Sequence, residues 1–323
     1  SELLAAGYAR GMTLRVALVG GPMYDGLYRL LDGQDLEVVV HADHPTLNRR
    51  VAELFARGER LDLLATHSKY APSQAAWLRP LDGVVAAAQL TPLAPQAVEL
   101  CRFRGALLCV PRNIDVRVLW ANRRLLETKT VPDSWEQLAE SRLAFGFPGR
   151  ESGVFGMFFE IVTVHGGRIF DEAQRPTFES DAARNAVELL VRLAKNAPPD
   201  LCDWHYDQVD EALGAGRVAL AAAWPGGTRA LLETPAGGDL EPHPYLSGPL
   251  GLRSYAGCHA WAIPRSCGDL EGVQHLLERL GSAEAHALEA SSGAVCARTD
   301  VFREIQGTDA RDARRLALTR DTV

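Results

Sequence analysis

Between Cys101 and Asn122 the chain reads CRFRGALLCVPRNIDVRVLWAN, and this stretch limits the possible folds more than any other. Two apolar runs are separated by Pro111, Arg112, Asn113, Ile114 and Asp115. Proline has no N–H for a sheet ladder, and it holds Val110 extended. Phe103-Arg104-Gly105 is a turn, so the stretch begins as a hairpin. Polar groups between two buried runs are what a chain shows when it leaves one sheet and enters another. The expectation is two lobes, each with its own sheet, joined here.

Length agrees with that expectation, because 323 residues exceed what one ordinary core holds. The 47% apolar and 23% charged fractions are those of a soluble globular protein. A net charge of −7, with no basic stripe carrying interleaved aromatics, argues against a nucleic-acid partner. No run approaches the ~18 apolar residues of a membrane span. The first residues, SELLAAGYARGM, lack the basic start and long apolar core of a secretory signal; either Met12 is the natural start or a leader has been removed. The six cysteines form no C-x-x-C pair. They read as buried small hydrophobes or, in an oxidising compartment, as disulfides, with Cys258 and Cys296 the first pair to test.

Before the central stretch the pattern alternates. Leu14 to Val19, Leu36 to Val40 and Leu61 to Ala65 read as strands, and Asp25 to Leu31 and Thr46 to Ala56 as helices. This predicts an α/β unit with a mainly parallel sheet, whose ligands sit beyond the carboxyl ends of the strands. That rule selects Gly21 to Asp25 and Thr66 to Gln74. After the stretch, Ser134-Trp135-Glu136-Gln137 opens a helix as a capping box, and further strands are expected at Leu143 to Phe147 and Arg217 to Trp224. Tyr255 to Ile263 is a second extended run and a second candidate crossover. Helices over Leu270 to Leu280, Ala283 to Ala290 and Ala310 to Thr319 complete the chain.

In their order these pieces resemble a known family. Leu119-Trp120-Ala121-Asn122-Arg123-Arg124-Leu125-Leu126 and Pro132-Asp133-Ser134-Trp135-Glu136-Gln137-Leu138 follow a Gly105-to-Pro111 segment. Leu78-Arg79-Pro80-Leu81, the Gly216-containing segment Ala212 to Ala223 and Ser292-Gly293-Ala294-Val295 add weaker signals. Together, over about residues 14 to 305, they resemble the extracytoplasmic solute-binding proteins of ABC importers, in the carbohydrate-binding group that includes maltose-binding protein. The resemblance implies an α/β, two-lobe periplasmic-binding-protein-like fold with a hinge of two or three crossovers. The expected lobes are 12–111 with 263–302, and 112–262 with 303–323. It implies a non-catalytic receptor that closes on a small sugar, polyol or sugar-acid ligand. The location is periplasmic or extracytoplasmic, the partners are importer membrane subunits, the state is monomeric, and no cofactor or metal is needed.

A sugar site needs planar hydrogen-bonding groups for each hydroxyl and flat aromatic faces for the C–H surface. An unpaired buried polar group costs ~1–3 kcal/mol. Asp115 is the leading ligand contact, with a turn cap as its ordinary alternative. Tyr24 and Asp25 lie at the first strand end, where Asp25 could equally cap a helix. His67, Lys69 and Tyr70 lie in a later strand-end loop, and with Arg112 and Arg117 the first two would suit a carboxylate or phosphate. Trp224 is a stacking platform or a core residue. Tyr255 and His259 border the second crossover, Glu151 and Phe155 follow by analogy, and Arg298 is a ligand contact or a surface charge. Trp120, Trp204 and Trp261 read as structural. The rival reading is a soluble α/β enzyme acting on a small sugar or anionic substrate. The chain has no G-x-S-x-G, H-E-x-x-H or G-K-[ST] motif.

Overall fold

A computed structural model describes residues 12–127, 129–173 and 175–320. The amino-terminal reading therefore falls, except for Met12, outside the described residues. The chain divides into two compact units, 1–114 with 257–305 and 115–256 with 306–323. It passes between them at Ile114/Asp115, Ala256/Gly257 and Ile305/Gln306. Among the described residues no helix is long and apolar enough to cross a membrane.

The first unit is built on a five-stranded sheet. Strands Leu14–Val19, Leu36–Ala42 and Leu63–His67 run parallel, with Leu14–Val19 in the middle. His259–Ala262 pairs antiparallel with Leu63–His67 on one side and with Val110–Pro111 on the other. Leu14–Val19 and Leu63–His67 are largely buried and read as mostly apolar runs for that reason, interrupted by Arg15 and ending in Thr66 and His67. Asp62 anchors the sheet's other end: its buried carboxylate accepts hydrogen bonds from Arg15 N (2.7 Å) and Gly268 N (2.8 Å).

Helix starts follow side-chain caps. Asp43 accepts from Thr46 N at 2.9 Å and opens His44–Ala56, with Pro45 in the first turn. Asp269 and Ser282 do the same for Leu270–Leu280 and Ala283–Ala290. The helix expected at Asp25 to Leu31 is instead a short turn, Pro22–Asp25, followed by a 3₁₀ segment, Leu27–Leu31. Gly26 lies between them, in a stretch too short to propagate a full helix.

The second unit has a four-stranded sheet in the order Leu240–His243, Val118–Asn122, Leu220–Ala223, Phe145–Gly146. Its first two pairings are antiparallel and its last is parallel. Helices Glu151–Val164, Asp181–Ala194 and Tyr206–Gly214 enclose a core containing Trp120, Trp135 and Trp204. The last helix, Ala310–Arg320, also belongs here and packs on Leu240–His243.

The expected boundaries at 111/112, 262/263 and 302/303 differ from these. Arg112 N bonds His259 O and Ile114 N bonds Val295 O, which keeps 112–114 with the first sheet. His259–Ala262 is a strand of that same sheet, so the second crossover comes before it. Thr299–Glu304 is one helix and stays whole within the first unit.

None of the six cysteines is in a disulfide. The Cys258–Cys296 pair suggested by the sequence does not form. The Cys258 thiol bonds Ala97 O (3.7 Å) and lies beside Cys101, while Cys296 bonds Arg298 O (3.7 Å).

Candidate functional site

The strand-end rule works in the first unit. Three parallel strands end at Val19, Ala42 and His67, and the antiparallel strand begins at His259. Side chains just beyond those ends converge. Tyr24 Oη lies 3.1 Å from His259 Nε2, and His259 Nδ1 lies 3.1 Å from His44 Nε2. The rings of His67 and His259 meet edge to face at 4.9 Å, and Tyr70 lies 5.5 Å from His44. The Lys69 ammonium sits 4.8 Å from the centre of the Tyr70 ring. Gly257 leaves room for the His67 ring, because a Cβ there would come within 2.4 Å of His67 Cε1 and force the ring to shift.

The electrostatics of this group are uniform. Burial, with help from the cations Lys69 and Arg112, brings His44 down to about 4. Burial, then Lys69 and His44, pushes His67 well below the usual histidine range. Burial and then the neighbouring imidazoles and cations do the same to His259. All three rings are therefore neutral at pH 7. Lys69 N donates to His67 Nδ1 at 3.1 Å, which places the His67 proton on Nε2.

Beneath this group Arg112 is buried. It pairs with Glu289 (3.1 Å) and lies under the rings of Trp261 (4.8 Å), Tyr24 (5.8 Å) and Tyr28 (5.9 Å). Two residues selected from the sequence are engaged elsewhere. Asp25 accepts from Gly21 N (3.2 Å) and pairs with exposed His41 (3.0 Å); it does not cap the segment after it, whose N-cap is Gly26. Arg298 pairs with Asp300 (2.5 Å) and donates to Gly281 O (3.2 Å).

In the second unit Asp115 is the first residue after the crossover and is buried. Trp224 ends its strand and meets Tyr206 at 5.6 Å and Tyr255 at 6.3 Å, both edge to face. Tyr255 also meets Phe159 at 5.8 Å, and Phe159 contacts Phe155, which is 40% exposed. Glu151 is exposed and opens its helix at φ 52°, a left-handed value that is unusual for a residue other than glycine. Below this aromatic group Arg117 pairs with the fully buried Glu160 and lies 5.3 Å from the Trp224 ring.

The sequence reading missed His44, Tyr206 and Glu160. His44 was legible: Asp43 with Pro45 marks a helix start directly after a strand, where the strand-end rule applies a third time. Tyr206 and Glu160 carry no such signal, since only tertiary packing brings them to Trp224 and Arg117. Trp120, Trp204 and Trp261 are buried, as expected of structural tryptophans.

Two α/β units joined by three chain crossings define the class: this is the fold of the solute-binding proteins of ABC importers. Maltose-bound MalE3 of T. maritima superimposes with a TM-score of 0.78 at 20% identity, covering 94% of this chain and 87% of that one. A ribitol complex of an ABC transporter solute-binding protein from Agrobacterium radiobacter K84 gives 0.78 at 18% identity, covering 97% and 86%. A putative oligosaccharide periplasmic-binding protein from Synechococcus gives 0.80 at 17%, covering 96% and 87%. At these identities the likeness establishes the fold, and the resemblance read from the sequence holds at that level. In sequence the chain is 26% identical over 147 residues to a probable amino-acid ABC transporter periplasmic-binding protein of Sinorhizobium fredii. That match takes in 41% of this chain and spans about a third of the relative's length (34%). No protein-family model matches the chain.

Proposed function

We propose that the chain is a non-catalytic solute-binding receptor of an ABC importer, taking a small sugar, polyol or sugar-acid ligand. The observation that carries this is the fold shared over 94% of the chain with a maltose-bound receptor, together with one polar and one aromatic group of side chains. Tyr24, His67, Lys69, Tyr70 and His259 supply hydrogen-bonding groups from the first unit. Trp224, Tyr255 and Phe155 supply ring faces from the second, with Asp115 and Glu151 as carboxylates. Such a receptor works outside the cytoplasm, as a monomer, and delivers its ligand to the importer's membrane subunits. It uses no cofactor and no nucleic acid.

A thermal-shift screen over sugars, polyols, sugar acids and glycerol phosphates, with product analysis, tests the reading. At ligand 100-fold above Kd the stabilisation is ~2.7 kcal/mol. A stabilising ligand recovered unchanged supports a receptor. Turnover, or no response across the panel, removes it.

A further inference from the structure

Three buried cysteines of the first unit lie together. Cys101 ends helix Pro95–Leu100 and leads into the hairpin of Arg102–Phe103 with Ala106–Leu107. Cys109 follows that hairpin, and Cys258 directly precedes strand His259–Ala262. Their exposures are 1%, 0% and 0%.

Strand register sets the direction of two of them. Pro111 stands opposite Ala260. Cys109 lies two positions before Pro111, and Cys258 two before Ala260. By the two-residue alternation of a strand, both side chains leave the sheet on the same face. His259, Trp261 and Arg112 leave on the other face, with the Tyr24 group. Helix Pro95–Leu100 covers the cysteine face, where the Cys258 thiol donates to Ala97 O at 3.7 Å. The Cys109 and Cys258 thiols both face the Cys101 sulfur and favour its thiolate, Cys109 the more strongly.

The backbone selects Cys109 as the partner. Cys101 O accepts from Leu108 N at 3.0 Å, so Cys109 is one residue beyond a bonded pair. That is the scale of the roughly 4.4–6.8 Å between Cα atoms that a disulfide spans. Cys258 is held on its own segment. Its N donates to Ser68 Oγ at 3.0 Å, and its O accepts from Ser68 N at 2.8 Å.

We propose that Cys101 and Cys109 are a dithiol–disulfide site, closed by a small disulfide oxidant as the chain folds. The Cys101 thiolate attacks one sulfur of the oxidant, forms a mixed disulfide and releases one thiol. The Cys109 thiolate then attacks the Cys101 sulfur. The protein S–S bond forms, and the second oxidant thiol leaves. The two cysteines give up two protons and two electrons, and the oxidant takes up both. Burial shuts the oxidant out of the folded site, so closure belongs to folding. Oxidants of this class are present outside the cytoplasm. The step does not depend on the receptor reading and survives its failure.

The experiment unfolds the whole chain and refolds it in oxidised and reduced glutathione. Remaining thiols are blocked with iodoacetamide, and the protein is digested with trypsin. Trypsin cuts after Arg102 and Arg104, so a Cys101–Cys109 bond ties the fragment ending at Arg102 to the fragment Gly105–Arg112. Cys258 lies in a separate fragment, Ser254–Arg265. The tied pair should appear, and two of the six thiols should become unreactive until dithiothreitol is added. Cys258→Ala should keep the tie, and Cys109→Ala should abolish it. Mapping of the unaltered protein decides the matter even where a variant fails to fold. Six reactive thiols after refolding, a glutathione adduct alone, or a Cys101–Cys258 tie overturns the proposal.

Discussion

Arg112 and Arg117 stand five positions apart, on opposite sides of the first crossover. Both are buried, both lie against aromatic rings, and each pairs with a buried glutamate of its own unit. The partners differ. Glu160 accepts from Arg117, from Tyr245 Oη (2.8 Å), from Tyr255 N (2.6 Å) and from Ser254 Oγ (3.4 Å). Glu289 accepts from Arg112 alone among the described contacts. Nε is 3.4 Å from one oxygen, and Nη2, at 3.1 Å from the other, is not aligned for a hydrogen bond.

The difference shows what each pair holds. Ser254 and Tyr255 come just before the second crossover, so Glu160 ties together the second-unit ends of two crossing segments. In the first unit the same job falls to the backbone and Asn113. Arg112 N bonds His259 O (2.8 Å), His259 N bonds Asn113 Oδ1 (2.8 Å), and Ala297 N bonds Arg112 O (2.9 Å). Arg112 is left mainly to floor the Tyr24 and histidine group.

The sharpest way to break this comparison is Glu160→Ala. It strands the Arg117 charge and three donors, and a loss of about 3–5 kcal/mol is expected by chemical denaturation. Glu289→Ala strands only Arg112, so its loss should lie at the lower end of the same ~3–5 kcal/mol range. Equal losses would mean the extra partners of Glu160 contribute nothing.

Gly257→Ala should cost about 1–3 kcal/mol, because the new methyl meets the His67 ring at 2.4 Å and the ring must move. It should also weaken ligand binding more than its stability loss explains, which calorimetry on the folded variant would read.

A pH response should also differ between the two units, at most ~1.4 kcal/mol per pH unit per group, with burial depressing His243 in the second unit against the effect of Asp210. His44 at about 4, His286 at about 3, and the depressed His67 and His259 are neutral when folded. Unfolding lets them take up protons below their ordinary 6.5. Their stability contribution is complete above pH 6.5 and is lost as pH falls towards the folded values. In the second unit burial, Asp207 and Glu211 raise Asp210 from 3.8 to about 7. Its contribution is complete below pH 3.8 and is lost as pH rises through 7. From pH 7 to 5 the protection factors of the first unit, after correction for the slower intrinsic exchange, should therefore fall. In the second unit Asp210→Asn should remove a gain in protection that the parent shows. Parallel loss in both units, unchanged by Asp210→Asn, would sink the contrast.

Much of this was legible in the residues. Leu14–Val19 and Leu63–His67 are mostly apolar, apart from Arg15, Thr66 and His67, because both faces of the sheet are covered. Asp43, Ser134, Ser180, Asp269 and Ser282 start helices because their side chains satisfy backbone N–H groups that the helix cannot. Pro111 and the polar residues after it lie directly before the crossover at Ile114/Asp115, although Arg112 N and Ile114 N still bond to the first unit. These are local effects, carried by neighbours in sequence, and the sequence determined them by itself.

Tertiary structure decided the rest. His44 and His259 are 215 positions apart, and Arg112 and Glu289 are 177 apart. Neither partner has a local signature of the other. The strand pairing brings together the strand ends at which the histidines meet, and only that packing strips their water and makes them neutral. The polar break at Pro111 to Asp115 told where the chain crosses. Which charge each flanking arginine meets was left to the packing of segments 43 positions away for Arg117 and 177 away for Arg112.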